Sequence, residues 1–131
     1  MAFNKIAGLV ISILALNMGI LEDASAASIS VKCETRGTSR SKASVDGAGL
    51  TGTFYAILYS TGSGAVKSKA PKTANASHQV EFDFDSYPPD IAAGATKISP
   101  TFIKNKTVYG YIRRLSNNYL EGVMKATCQA K

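Results

Sequence analysis

The stretch Gln79-Val80-Glu81-Phe82-Asp83-Phe84-Asp85 is the clearest strand in the chain. Val80, Phe82 and Phe84 alternate with Glu81, Asp83 and Asp85. A period of two sends one set into a core and the other towards water. We expect the strand over residues 77–85, with His78, the chain's one histidine, exposed at its start.

Similar signals lie on both sides. Upstream, residues 39–46 end at Asp46-Gly47, a turn dipeptide. Residues 50–60 are rich in aromatic and β-branched side chains, and Gly62-Ser63-Gly64 reads as a hairpin loop. A short return strand over 65–70 carries Lys67 and Lys69, which discourage edge-to-edge pairing. Residues 71–76 read as a polar loop. Downstream, Pro88-Pro89 and Gly94 interrupt regular structure, with a turn of helix N-capped by Asp90. Residues 101–103 suggest a brief strand. Residues 107–115 and 119–129 form a final hairpin through Ser116-Asn117-Asn118, which tolerate positive φ. No segment beyond the N-terminus sustains helical periodicity. About seven short strands in some hundred residues predict an all-β fold, an antiparallel β-sandwich of immunoglobulin-like type, with a small barrel as the alternative. The immunoglobulin signature is incomplete: there is no tryptophan, and the cysteines fall on terminal strands.

The N-terminus has one lysine, Lys5, then an apolar run from Ile6 to Leu21, then Ala24-Ser25-Ala26. That is the pattern of a cleaved secretory signal. The organisation expected is therefore a signal peptide at 1–26 and one domain at 27–131, secreted or periplasmic, with no transmembrane segment in the mature form. Cleavage moves the net charge from +6 to +7, because Lys5 leaves together with Glu22 and Asp23. The basic residues are scattered, with no run of five, so a nucleic-acid partner is not expected. Attraction to a protein or an anionic cell-surface polymer is.

Cys33 lies in phase with Ile29 and Val31, and Cys128 with Met124 and Ala126. Both point to the apolar side of their strands, so a disulfide joining the first strand to the last is expected. No C-x-x-C spacing suggests a redox or metal role.

Four patterns bear on chemistry. Gly47-Ala48-Gly49-Leu50-Thr51-Gly52 fits G-x-G-x-x-G, but strand-forming residues follow it where a phosphate-binding helix must start, so it reads as a turn. Glu81, Asp83 and Asp85 share a strand face, with neighbours about 6.5–7 Å apart. That spacing suits a water-mediated acid/base pair, or Ca²⁺ held by Asp83, Asp85 and Asp90. The plainer reading is a solvated face. Tyr109, Tyr111 and Arg113 project from one face of their strand and could stack on a ligand or anchor a partner. Asn75-Ala76-Ser77 and Asn105-Lys106-Thr107 fit the N-glycosylation pattern. The leading expectation is an exported binding or structural module without enzymatic activity and without a cofactor. A small secreted hydrolase built on Glu81, Asp83 and Asp85, and a Ca²⁺-stabilised accessory protein, are the alternatives.

Overall fold

A computed structural model describes residues 27–131. The expected signal peptide lies outside the described residues. Among the described residues, ten strands and one short helix follow one another: β1 (Ser28–Arg36), β2 (Arg40–Ala48), β3 (Thr53–Ser60), β4 (Gly64–Lys67), β5 (Lys72–Thr73), β6 (Gln79–Asp85), α1 (Pro88–Ala92), β7 (Thr96–Lys97), β8 (Thr107–Arg114), β9 (Leu120–Thr127) and β10 (Gln129–Ala130). They build two five-stranded sheets. Sheet A runs β9-β8-β3-β4, with β5 also paired to β3, and sheet B runs β10-β1-β2-β6-β7. Pairing is antiparallel except for β10 on β1 and β7 on β6.

The alternating side chains meet between the sheets. Val45, Phe82 and Phe84 from sheet B face Phe54, Leu58, Val108 and Ile112 from sheet A, all buried. Removing each such side chain from water contributes about 1.5–3 kcal/mol, and this layer makes the chain an all-β sandwich. Gly110 sits on the same inner face. A Cβ there would lie 2.6 Å from Val31 Cγ2 and 2.8 Å from Val45 Cγ2, so the glycine sets how closely the sheets approach.

Several local expectations shift. Asp46-Gly47 is not a turn: β2 runs on to Ala48, and the bend uses Gly49 and Gly52 at positive φ. Gly47 is needed inside the strand because Leu50 Cδ1 would lie 2.5 Å from a Cβ there. The helix begins at Pro88 with Tyr87 as its N-cap residue, so the prolines open it rather than forbid it. Asp90 lies in its first turn. The brief strand falls at Thr96–Lys97, not at 101–103. Phe102 and Ile103 instead plug the core from a loop, held where Ser63 Oγ donates to the Phe102 carbonyl at 2.6 Å and Ile103 N–H donates to Ser41 Oγ at 3.3 Å. Part of the expected polar loop, Lys72–Thr73, pairs with β3. The last hairpin turns at Asn118 with φ 60°, as its sequence suggested.

Cys33 and Cys128 form the disulfide, with Cα atoms 4.6 Å apart across 95 residues of sequence. Cys128 is not inside the last strand. It occupies the step where the chain leaves sheet A after β9 and enters sheet B as β10. The chain-entropy account assigns a loop of this length about 4–5 kcal/mol. A Cys33→Ala/Cys128→Ala variant should lose stability of that order in guanidinium titrations. An unchanged midpoint would mean that the crossing holds without the bond.

Candidate functional site

The two outer faces differ in chemistry. On sheet B, register brings Asp46 opposite Glu81, Ser44 opposite Asp83, and Lys42 opposite Asp85. Glu81 and Asp83 are exposed as expected, but Asp85 is only 2 % exposed. Arg40 explains the difference. Its Nε donates to Asp85 Oδ1 at 3.0 Å, and its Nη2 donates to Asp85 Oδ2 at 2.7 Å and to Asp90 Oδ2 at 2.9 Å. The guanidinium lies 4.3 Å from the centre of the Tyr87 ring, and Tyr87 N–H donates to Asp85 Oδ1 at 3.0 Å. Burial alone would raise the Asp85 pKa, but the bonds from Arg40 and Tyr87 outweigh it and hold the carboxyl at about 2. Of the three expected cation ligands, Asp85 and Asp90 thus converge on Arg40, while Asp83 stays apart on the open strand. Lys42, Lys72, Asp83, Asp85, Asp90 and Gly94 line a depression of about 250 Å³ there. Among the described residues, no group of three His, Cys, Asp or Glu side chains is placed to hold a metal ion.

Asp46, which the sequence reading assigned to a turn, belongs to this face. Its Oδ1 is buried without a hydrogen-bond partner. Burial, then the charge of Glu81 across the strand pair, raises its pKa against the opposing pull of Lys32.

On sheet A, the expected stripe of Tyr109, Tyr111 and Arg113 does point outward, and each residue is half-buried. Register extends it into a surface four strands wide. Tyr59 pairs with Tyr109, Ile57 with Tyr111, and Tyr55 with Arg113. Lys125 and Val123 of β9 flank Tyr109 and Tyr111, and Lys67 of β4 flanks Ile57. The Tyr59 and Tyr109 rings are 6.0 Å apart between centres. Lys67 Nζ stands 4.4 Å from the centre of the Tyr55 ring. Tyr55 Oη donates to Asn118 Oδ1 at 2.8 Å, and Arg113 Nη1 donates to the Asn118 carbonyl at 2.8 Å, tying the hairpin turn to this face. Sequence reasoning missed Tyr55 and Tyr59. Their parity along residues 53–60 was the available signal, but only strand register joins them to Tyr109.

The remaining motifs take structural places. Gly47–Gly52 closes strand to strand with no helix after it. His78 is exposed at φ 61° in the turn before β6, with Nδ1 3.4 Å from Thr51 Oγ1. Asn75 Oδ1 accepts the N–H groups of Ser77 and Gln79. The disulfide suits an oxidising compartment. No helix among the described residues is long and apolar enough to cross a membrane. No protein-family model, no curated protein and no solved structure matches the chain.

Two carboxylates should give opposite pH signatures. The Asp85 pKa falls on folding from 3.8 to about 2, so its contribution of about 2 kcal/mol is present above pH 4 and lost as pH falls through 2. Asp85→Asn should cost about 3 kcal/mol at pH 7, the low end for a broken buried pair because Asp90 still holds Arg40. It should also flatten the acid limb of the stability profile measured by denaturant titration. The Asp46 pKa rises on folding, so that group costs stability once pH climbs through its folded value. Asp46→Asn should be more stable than the parent at pH 7, with the gap closing below pH 4. A gap that widened on acidification would refute the assignment.

Proposed function

We propose that this protein is an exported, non-catalytic binding module that presents the outer face of sheet A to its ligand. Export through a cleaved signal at residues 1–26, a secreted or periplasmic location and an immunoglobulin-like sandwich are parts of this reading. The observation that carries it is the alignment of Tyr59, Tyr109 and Tyr111 on the outer face of two neighbouring strands, continued by Ile57 and Val123. Aromatic side chains give large contact area at low cost in rotamer freedom and dominate binding energy where they cluster. Val123, 46 % exposed, extends the same surface to the sheet edge. The inner faces of the same strands are locked in the core, so the rings sit on a backbone that gains little further order on binding.

The test is retention of the folded protein on insoluble cell-envelope material from cells that express it. Tyr109→Ala/Tyr111→Ala should lower retention about tenfold or more, as loss of two central aromatic anchors implies, with the thermal midpoint little changed. Equal retention of the variant would remove the tyrosine face from the reading. An absence of retention for the parent would remove envelope binding itself.

A further inference from the structure

Charge is divided between the sheets. The strands of sheet A carry Lys67, Lys72, Arg113, Arg114 and Lys125 against one acid, Glu121. That acid is engaged: Arg114 Nη2 lies 3.1 Å from Glu121 Oε2. The other six acidic residues of the described chain belong to sheet B or to α1. Lys72 turns towards the sheet B depression lined by Asp83, Asp85 and Asp90, and Arg114 is held by Glu121, so the ring-bearing face of sheet A keeps Lys67, Arg113 and Lys125 with no acid beside them among the described residues.

The arrangement of these cations is regular. Three cross-strand rows succeed one another on the outer face, about 6.5–7 Å apart. In the first, Lys125 stands beside Tyr109 and Tyr59. In the second, Lys67 and Val123 bracket Ile57 and Tyr111. In the third, Arg113 stands beside Tyr55. The first two rows pair half-buried apolar or aromatic side chains with a cation at opposite edges of the sheet, Lys125 on β9 and Lys67 on β4, whereas in the third Tyr55 is buried with Lys67 over its ring and Arg113 supplies the cation from β8.

We propose that the ligand of this face is an acidic polysaccharide, a polymer of carboxylate-bearing sugar rings. This rests on the reading of sheet A's outer face as the binding surface. A pyranose ring offers apolar C–H faces to tyrosine and Ile57, and its carboxylate lies at the ring edge, where Lys67, Lys125 and Arg113 wait. A neutral glycan would leave the cations unused, and a small isolated anion would leave the rings unused. A membrane surface fits less well. Tyr59, Tyr109 and Tyr111 are half-buried along the sheet and Tyr55 is buried, so none of them reaches below lipid headgroups. Repetition of that unit over two rows, with Arg113 beyond them, lets a polymer engage several weak subsites at once.

Affinity electrophoresis of the mature protein in gels holding polygalacturonate or alginate tests this, with dextran gels as the neutral control and sedimentation with phosphatidylglycerol vesicles as the lipid control. Retardation is expected with both carboxylated polymers and not with dextran. It should fall about tenfold in Lys67→Ala/Lys125→Ala and in Tyr109→Ala/Tyr111→Ala. It should weaken, yet persist, as salt shortens the Debye length from about 10 Å at 0.1 M towards 3 Å at 1 M. Tyrosine-dependent retardation by dextran, indifferent to the lysine pair, would overturn the acidic class while leaving the binding face in place. Binding to vesicles alone would assign the face to membranes and overturn the polysaccharide. Retardation by polygalacturonate that ignores the tyrosines and vanishes at high salt would reduce the interaction to bulk charge and overturn both. Envelope retention without retardation by either carboxylated polymer would refute this ligand class alone.

Discussion

The crossing of the chain at Cys128 is the constraint on which the rest of the sandwich depends. Up to Thr127 the backbone pairs with β8 in sheet A; from Gln129 it pairs with β1 in sheet B. One residue changes sheets, and it is the residue bonded to Cys33. Cys128 N–H also donates to the Lys106 carbonyl at 2.8 Å, so the segment leading into β8 is tied to the same point. Disulfide, sheet change and loop anchor fall together. The register of β9 on β8, and with it the flank of the tyrosine face, is fixed at this end of the molecule. The opposite arrangement, two sheets held only by apolar contact, would leave β9 as a long edge strand free to slip.

Buried hydroxyls secure the segment between β7 and β8 in a comparable way. Ser41 Oγ donates to the Pro100 carbonyl, Ser60 Oγ donates to the Thr107 carbonyl, and Ser60 Oγ accepts from Lys104 N–H. Ser41 and Ser60 are fully buried. Such groups are tolerated only because each finds backbone partners. They let an irregular stretch pass between two sheets without orphaned amides.

The legibility of the chain follows the range of the interactions involved. Val80, Phe82 and Phe84 announced β6 because alternation is a local property and both neighbours of that strand agree with it. The cysteine pairing was legible for the same reason: Cys33 is in phase with β1, and Cys128 continues the phase of β9, which ends one residue before it. What failed depended on distant residues. Gly47 looks like a turn residue until Leu50 and Ile112 are seen to occupy the space of its missing Cβ. Asp85 looks solvated until Arg40, 45 residues earlier, closes over it. The passage of β9 into β10 leaves no trace in sequence, because alternation continues across Cys128 while the pairing partner changes. Half of the tyrosine face was visible as the parity of Tyr109 and Tyr111. The other half, Tyr55 and Tyr59, came from strand register alone.

The same logic indicates why the two outer faces have diverged. Sheet B is partly covered, since α1 lies against β6 and its Asp90 reaches Arg40 and Lys42. Asp85 and Asp90 hold that cover through Arg40 and Lys42, while Glu34 pairs with Arg36 and Glu81, Asp83 and Asp46 lie on the open part of the sheet. Among the described residues sheet A carries no such cover; Tyr55 and Arg113 hold the hairpin turn at Asn118, whereas Tyr59, Tyr109 and Tyr111 face outward without that task. Apolar and aromatic side chains left in that position raise the hydration cost of the free protein, and the cations beside them repel like charges on another copy. A partner that offers flat apolar surface and negative charge together relieves both at once. On the proposed reading, sheet A favours ligands by composition, without a deep pocket, and the rigidity imposed from the core side lets it do so with little loss of freedom on binding.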